Sequence, residues 1–121
     1  MDNAEDSSKN NGIKLKGNIA LVGFDSLEPS EMIIVKKIVG NYVKRMGNVA
    51  NYEEMKLVLQ QHKHGKGFKH EINALAFFDE GRFNAHVTEW NLYKALSEVC
   101  EKILNEIEHM KYKNQSKGIK K

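Results

Sequence analysis

One cysteine, one proline, one tryptophan and no long apolar run mark this chain of 121 residues by what it lacks. Cys100 alone closes no internal disulfide and excludes a cysteine-rich zinc site. Pro29 is the only proline, so no proline-rich linker divides the chain. No apolar run approaches the roughly 18–20 residues that cross a bilayer. The opening Met1-Asp2-Asn3-Ala4-Glu5-Asp6 is too acidic and polar for a secretory signal, which gives a cytoplasmic expectation. Also missing are a Ser-His-Asp order, a paired-carboxylate pattern and a glycine-rich phosphate loop. Gly65-Lys66-Gly67 is too short to be one. The chain is not read as an enzyme, and neither a cofactor nor a small-molecule substrate is expected.

What is present is an ordinary globular balance, 40% hydrophobic and 29% charged, which suits one domain with a single modest core. Net charge is only +3, and its distribution says more than its size. Residues 1–12 are net acidic. From Met55 to His70 there are Lys56, Lys63, Lys66 and Lys69 with three histidines and no acid, and the chain after His109 is again purely basic.

Periodicity divides the chain into a polar, disordered N-terminal tail (1–17), one α/β domain (18–113) and a loose basic C-terminal tail (114–121). The first predicted strand is Asn18 to Phe24. Glu28-Pro29-Ser30-Glu31 then opens a helix, with Pro29 at its first position, Glu31 favouring the dipole and Leu27 stapled to Met32. Val35, Ile38, Val39, Tyr42 and Met46 form its inner stripe, and Gly47 is its expected C-cap. Tyr52 to Gln60 reads as a strand with Met55, Leu57 and Leu59 on one face, although Glu53-Glu54-Met55-Lys56 also passes for a helical turn. A basic connection, Gln61 to Gly67, leads to a strand over Phe68 to Phe78, and Asp79-Glu80-Gly81 signals a hairpin. Phe77 and Phe78, being adjacent, should face opposite sides of the sheet.

The region from Arg82 to Lys113 carries the clearest pattern. Phe83, Ala85 and Val87 alternate with polar residues, as a half-buried strand requires. From Asn91, a good N-cap, Leu92, Leu96, Val99, Ile103, Ile107 and Met110 recur at steps of three and four, one face of a long helix. The resulting fold class is α+β: a two-layer β-α-β-β-β-α domain, a four-stranded sheet with both helices on one face.

The junction string Glu89-Trp90-Asn91-Leu92-Tyr93-Lys94-Ala95-Leu96, set between a short strand and the last helix, resembles the corresponding junction of the ribosome hibernation promoting factor family. The element order, the helix start at Glu28-Pro29, and Val35 and Val39 are similar to that family as well. The acidic N-terminal tail and the glutamates along the last helix depart from its pattern. The resemblance implies a short form that binds the small ribosomal subunit and its RNA in the channel used by messenger and transfer RNA. Such a protein would silence translation in idle or stressed cells.

Phosphate binding needs lysine and arginine away from the apolar stripes. The candidates are Lys36, Lys37, Lys44 and Arg45 on the first helix, Lys63, Lys66 and Lys69 around the strand connection, and Lys102, Lys111 and Lys113 on the last helix. Side-by-side packing of the helices would set the helical members along one ridge. A general double-stranded RNA-binding module and a homodimeric protein–protein module stay open beside this reading. His62-Lys63-His64 has too few ligands and too many neighbouring cations for a metal site. Cys100 is read as a small buried hydrophobe. Trp90 is expected to close the core at the junction, with stacking on a base or a partner as the alternative.

Overall fold

The computed structural model describes the backbone of residues 12–120 and the side chains of residues 12–113. The stretch 1–11, which makes up most of the expected N-terminal tail, lies outside the described residues. In chain order the elements are β1 (Ile13–Leu15), β2 (Ile19–Val22), α1 (Pro29–Val49), β3 (Tyr52–His64), β4 (Gly67–Phe78), β5 (Gly81–Glu89) and α2 (Leu92–Lys120). The sheet runs β1-β2-β3-β4-β5, with β2 and β3 parallel and every other neighbouring pair antiparallel.

The class is the expected α+β, but the sheet has five strands rather than four. The addition, β1, lies within the segment assigned to the tail. Lys16-Gly17-Asn18 turn the chain back through two positive-φ residues, Gly17 and Asn18, so that Leu15 pairs with Ile19 and Ile13 with Leu21. Ile13 and Leu15 then pack against the core, apolar burial that a solvated tail lacks.

Local chemistry fixes both helix starts. The backbone N–H of Glu28 donates to Glu31 Oε1 at 2.9 Å, one half of a capping box, ahead of Pro29. The Lys94 N–H donates to Asn91 Oδ1 at 2.9 Å, so Asn91 is the cap expected of it. The ends differ from expectation. Gly47 does not terminate α1, because it lacks the positive φ that a glycine cap adopts; the helix runs to Val49, and the Ala50 N–H donates to Met46 O at 3.0 Å. α2 is helical through Lys120, beyond the boundary at Lys113 where a loose tail was expected.

One core lies between the helices and one face of the sheet. α1 contributes Val35, Val39, Val43 and Met46; β3 Met55, Leu57 and Leu59; β4 Ile72, Ala74, Ala76 and Phe78. α2 supplies Leu92, Leu96, Val99, Ile103 and Ile107 as its period required, with Ala95, Cys100 and Leu104 beside them. Phe78 is buried and Phe77 points to the other face, as their adjacency demanded. Gly23 has φ +84°, and a Cβ there would sit 2.2 Å from the Leu59 carbonyl oxygen. Only glycine lets the chain leave β2 so close to β3.

Leu96 is fully buried. Leu96→Ala should destabilise the domain by about 2–5 kcal/mol in chemical unfolding; a midpoint equal to wild type would contradict the placement of α2. Gly23→Ala should also lower the midpoint, since it combines backbone strain with a clash against β3.

Candidate nucleic-acid interface

The helices pack side by side. At their seam the Tyr42 hydroxyl donates to Glu101 Oε1 at 2.8 Å, and the Arg45 guanidinium lies 3.9 Å from the same oxygen and 5.0 Å from the Tyr42 ring centroid. Burial first, then the hydrogen bond to Glu101, pushes the Tyr42 hydroxyl above its ordinary pKa, so it stays a donor. Lys36, Lys37, Lys44 and Arg45 are all exposed on α1. The lysines of α2 do not join them. Lys102 Nζ donates to the His86 carbonyl oxygen on β5 at 3.2 Å, and Lys111 Nζ donates to Glu80 Oε2 at 3.2 Å at the β4–β5 turn. Lys113 is exposed beside Phe83, Asn105 and His109. The ridge expected from side-by-side packing is therefore built by α1 alone, while the α2 lysines turn toward β5 and its hairpin.

A second basic surface lies at the far end of the sheet. β3 and β4 stay paired to His64 and Gly67, well past the residues that β2 reaches, so the predicted connection Gln61 to Gly67 is a projecting hairpin. Its two-residue loop is Gly65-Lys66, with φ +57° at Gly65, where a tight hairpin favours glycine. Lys63, Lys66 and Lys69 all belong to this arm. Strand alternation puts His62, His64, Gly67 and Lys69 on the face of the sheet away from the helices, the open face. At the other end of β4, Glu53, Glu54, Asp79 and Glu80 gather, and a hydrogen bond with Asp79 raises the Glu53 carboxyl above its ordinary value. The domain is basic at one end of its longest strands and acidic at the other.

Trp90 belongs to the basic end and does not close the core. It is 55% exposed, with the Lys69 ammonium 5.2 Å from its ring centroid and the His64 ring edge-on at 5.8 Å. Asn91 caps α2 directly after it, and Leu92, Ala95 and Leu96 of the first turns are the residues that enter the core.

A strand–helix–meander–helix order with one covered face is a fold met elsewhere. The N-terminal domain of Thermus thermophilus Protein Y matches this structure with a TM-score of 0.54, covering 81% of this chain and 99% of that domain at 11% sequence identity. The chain shares its fold with the Protein Y N-terminal domain. A ribosomal subunit interface protein from Coxiella burnetii also matches, with a TM-score of 0.46 and 12% identity, covering 82% of this chain and 96% of that one. No family model and no curated protein matches the sequence. On the Protein Y-like fold, the junction that carried the family resemblance stands where it was expected, between the last strand and the last helix.

The open face also holds a feature that sequence reasoning missed. Glu71 lies between two histidines, with His62 Nε2 at 2.6 Å from one carboxylate oxygen and His86 Nε2 at 2.8 Å from the other. An ionised carboxylate only accepts, so both imidazoles present N–H to it. Cross-strand register was the available signal, since His62 and Glu71 sit diagonally across the β3–β4 pair. Among the described residues no group of three or more His, Cys, Asp or Glu is arranged to hold a metal ion. Cys100 is buried, and desolvation pushes its thiol up to about 12, which leaves it unreactive at neutral pH. Among the described residues no helix is long and apolar enough to cross a membrane.

The hydrogen bond from His62, then that from His86, holds the Glu71 carboxyl below its ordinary value of 4.5. A depressed acid stabilises the fold above its unfolded pKa and loses that contribution as pH falls through the folded value. The midpoint difference between wild type and Glu71→Gln should therefore persist down to about the ordinary carboxylate range and vanish below it. A difference that is the same at neutral and strongly acid pH would show that the bridge contributes nothing.

Proposed function

We propose that this chain is a ribosome-associated RNA-binding protein of the hibernation type. It acts in the cytoplasm, occupies the messenger and transfer RNA channel of the small subunit, and inhibits translation by occupancy in idle or stressed cells. The observation that carries the reading is the Glu89–Leu96 junction. Its sequence resembles that of the hibernation factors, and it joins the last strand to the last helix of a fold shared with almost the whole Protein Y N-terminal domain. The basic surfaces support it. Ribosomal RNA presents dense phosphate, and each lysine that neutralises one releases bound counterion, so lysines on a rigid frame convert directly into salt-sensitive affinity. Lys36, Lys37, Lys44 and Arg45 supply such a surface on α1, and Lys63, Lys66 and Lys69 supply one on the hairpin. The role is binding rather than catalysis, and it needs no cofactor.

The test is co-sedimentation with purified small subunits across a salt series. The bound fraction should fall steeply with salt, because several phosphate contacts are proposed. Lys44→Glu with Arg45→Glu should weaken binding about tenfold or more while moving stability by less than about 1 kcal/mol, both groups being exposed. A salt-insensitive pellet would indicate protein contacts instead. Equal affinity for plain RNA duplex would indicate a general duplex-binding module.

A further inference from the structure

The hairpin end of the open face carries an arrangement that steric occupancy of a channel does not require. We propose that Trp90, lying beside Gly67 and flanked by Lys69 and His64, is a stacking platform for unpaired bases of single-stranded RNA. This rests on the RNA-binding reading for the class of partner and goes beyond it by naming the contact.

An indole left 55% exposed on a folded domain forgoes burial that the fold grants to Ile72, Phe78, Met55, Leu57 and Leu59 on the sheet's covered face. It is nevertheless held in place. Its backbone carbonyl oxygen accepts from His70 Nδ1 at 2.9 Å, and the next residue caps α2. Beside the ring is Gly67, where an added Cβ would already stand 3.7 Å from the six-membered ring. Any larger side chain there would compete with the indole for its seat. The ring is an apolar plate carried on a backbone anchored at a strand–helix junction, with the residue 55% exposed.

Its surroundings select the ligand. The Lys69 ammonium lies over the ring, 5.2 Å from its centroid, and Lys66 in the hairpin loop adds positive charge at the tip of the arm, while Lys63 alternates to the other face with Phe68. From Met55 to His70 there is no acid. The nearest acid of the open face, Glu71, has both oxygens hydrogen-bonded by imidazoles, and Glu89, next to Trp90 in the chain, pairs with the Lys94 ammonium at 3.9 Å. An aromatic plate beside lysines is the combination that binds single strands, with bases on the ring and phosphates on the lysines. Duplex bases are already stacked on one another and cannot lie against it, so the platform selects unpaired nucleotides. Phe68, also exposed, alternates to the opposite face of the hairpin and does not extend the plate.

Trp90 is the only tryptophan, so fluorescence excited selectively at the indole, beyond tyrosine absorption, reports on this site alone. Titration of the full chain with an oligoadenylate about twelve nucleotides long should quench that fluorescence, whereas an RNA duplex of equal length should not. Trp90→Ala should weaken oligoadenylate binding about tenfold or more, measured by anisotropy of a labelled oligomer, and Trp90→Phe should restore most of it. Thermal melts of both variants should match wild type, because the side chain is outside the core. Equal quenching by duplex, or unchanged affinity in Trp90→Ala, overturns the platform. Small-subunit co-sedimentation separates the two readings. Wild type that pellets without any oligoadenylate quenching sinks the platform alone. Quenching by the oligomer without pelleting sinks the ribosomal role and leaves the platform standing.

Discussion

The structure depends on how closely α2 approaches the middle of the sheet. β4 meets the helix with Ala74 and Ala76, the smallest side chains on the covered face, between Ile72 and Phe78. Those small residues let Leu96, Val99, Ile103 and Ile107 come down onto the strands and fill the layer to interior density. With α2 seated, α1 has a neighbour to pack on, and the Tyr42–Glu101 contact closes the seam at the surface. All the large apolar burial is then spent on one side of the sheet. The other side, the β3–β4 arm and the outward face of α1 are richer in polar and charged residues, with Val58, Leu75 and Phe77 half-buried on the open face and Ile33 and Ile34 exposed on the helix.

Two basic surfaces result, and they are not continuous. One is a helix surface, where Lys37 and Lys44 stand a heptad apart on the same side of α1. The other is the arm with Trp90 beyond it. The acidic cluster at Glu53, Asp79 and Glu80 occupies the opposite end of the long strands, so the charge of the molecule has direction although its net value is small. A polyanion approaching such a body is oriented before it is bound.

The elements legible in the sequence were those whose apolar residues repeat cleanly. The two helical stripes, the alternation in β3 and β5, the Asp79-Glu80 turn and the Asn91 cap all follow from patterns that burial imposes on one face. What escaped was set by pairing rather than by burial. β1 has only Ile13 and Leu15 to show, and its turn signal at Gly17-Asn18 was passed over beside a polar tail. The arm beyond Gln60 shows no run of alternating apolar residues; it is held as a strand by its backbone ladder with β4 and by the cross-strand contact of His62 with Glu71. Gly47 invited a cap, but α1 gains by carrying Val49 and Ala50 against the core. For the candidate site, most of the lysines are exposed and Lys69 and Lys111 are half-buried, and sequence spacing on a single helix cannot say which neighbour a long side chain will meet. Lys102 and Lys111 met β5 and Glu80. An indole at the junction reads as core because of its large apolar area, yet Trp90 stands 55% exposed while Leu92, Ala95 and Leu96 enter the core just after it.

The bond from Lys102 to the His86 carbonyl has a meaning for the sheet as a whole. β5 is an outer strand, with β4 on one side and an unpaired rim of N–H and C=O groups on the other. Such a rim is a template on which a strand of another molecule can add, and chains with long bare rims aggregate through them. Here an ammonium group reaches across from α2 and occupies one of those acceptors at the midpoint of the strand. The opposite rim is limited by β1, only three residues long. The domain can therefore display a long, flat, half-apolar open face at high concentration and still resist growing sideways.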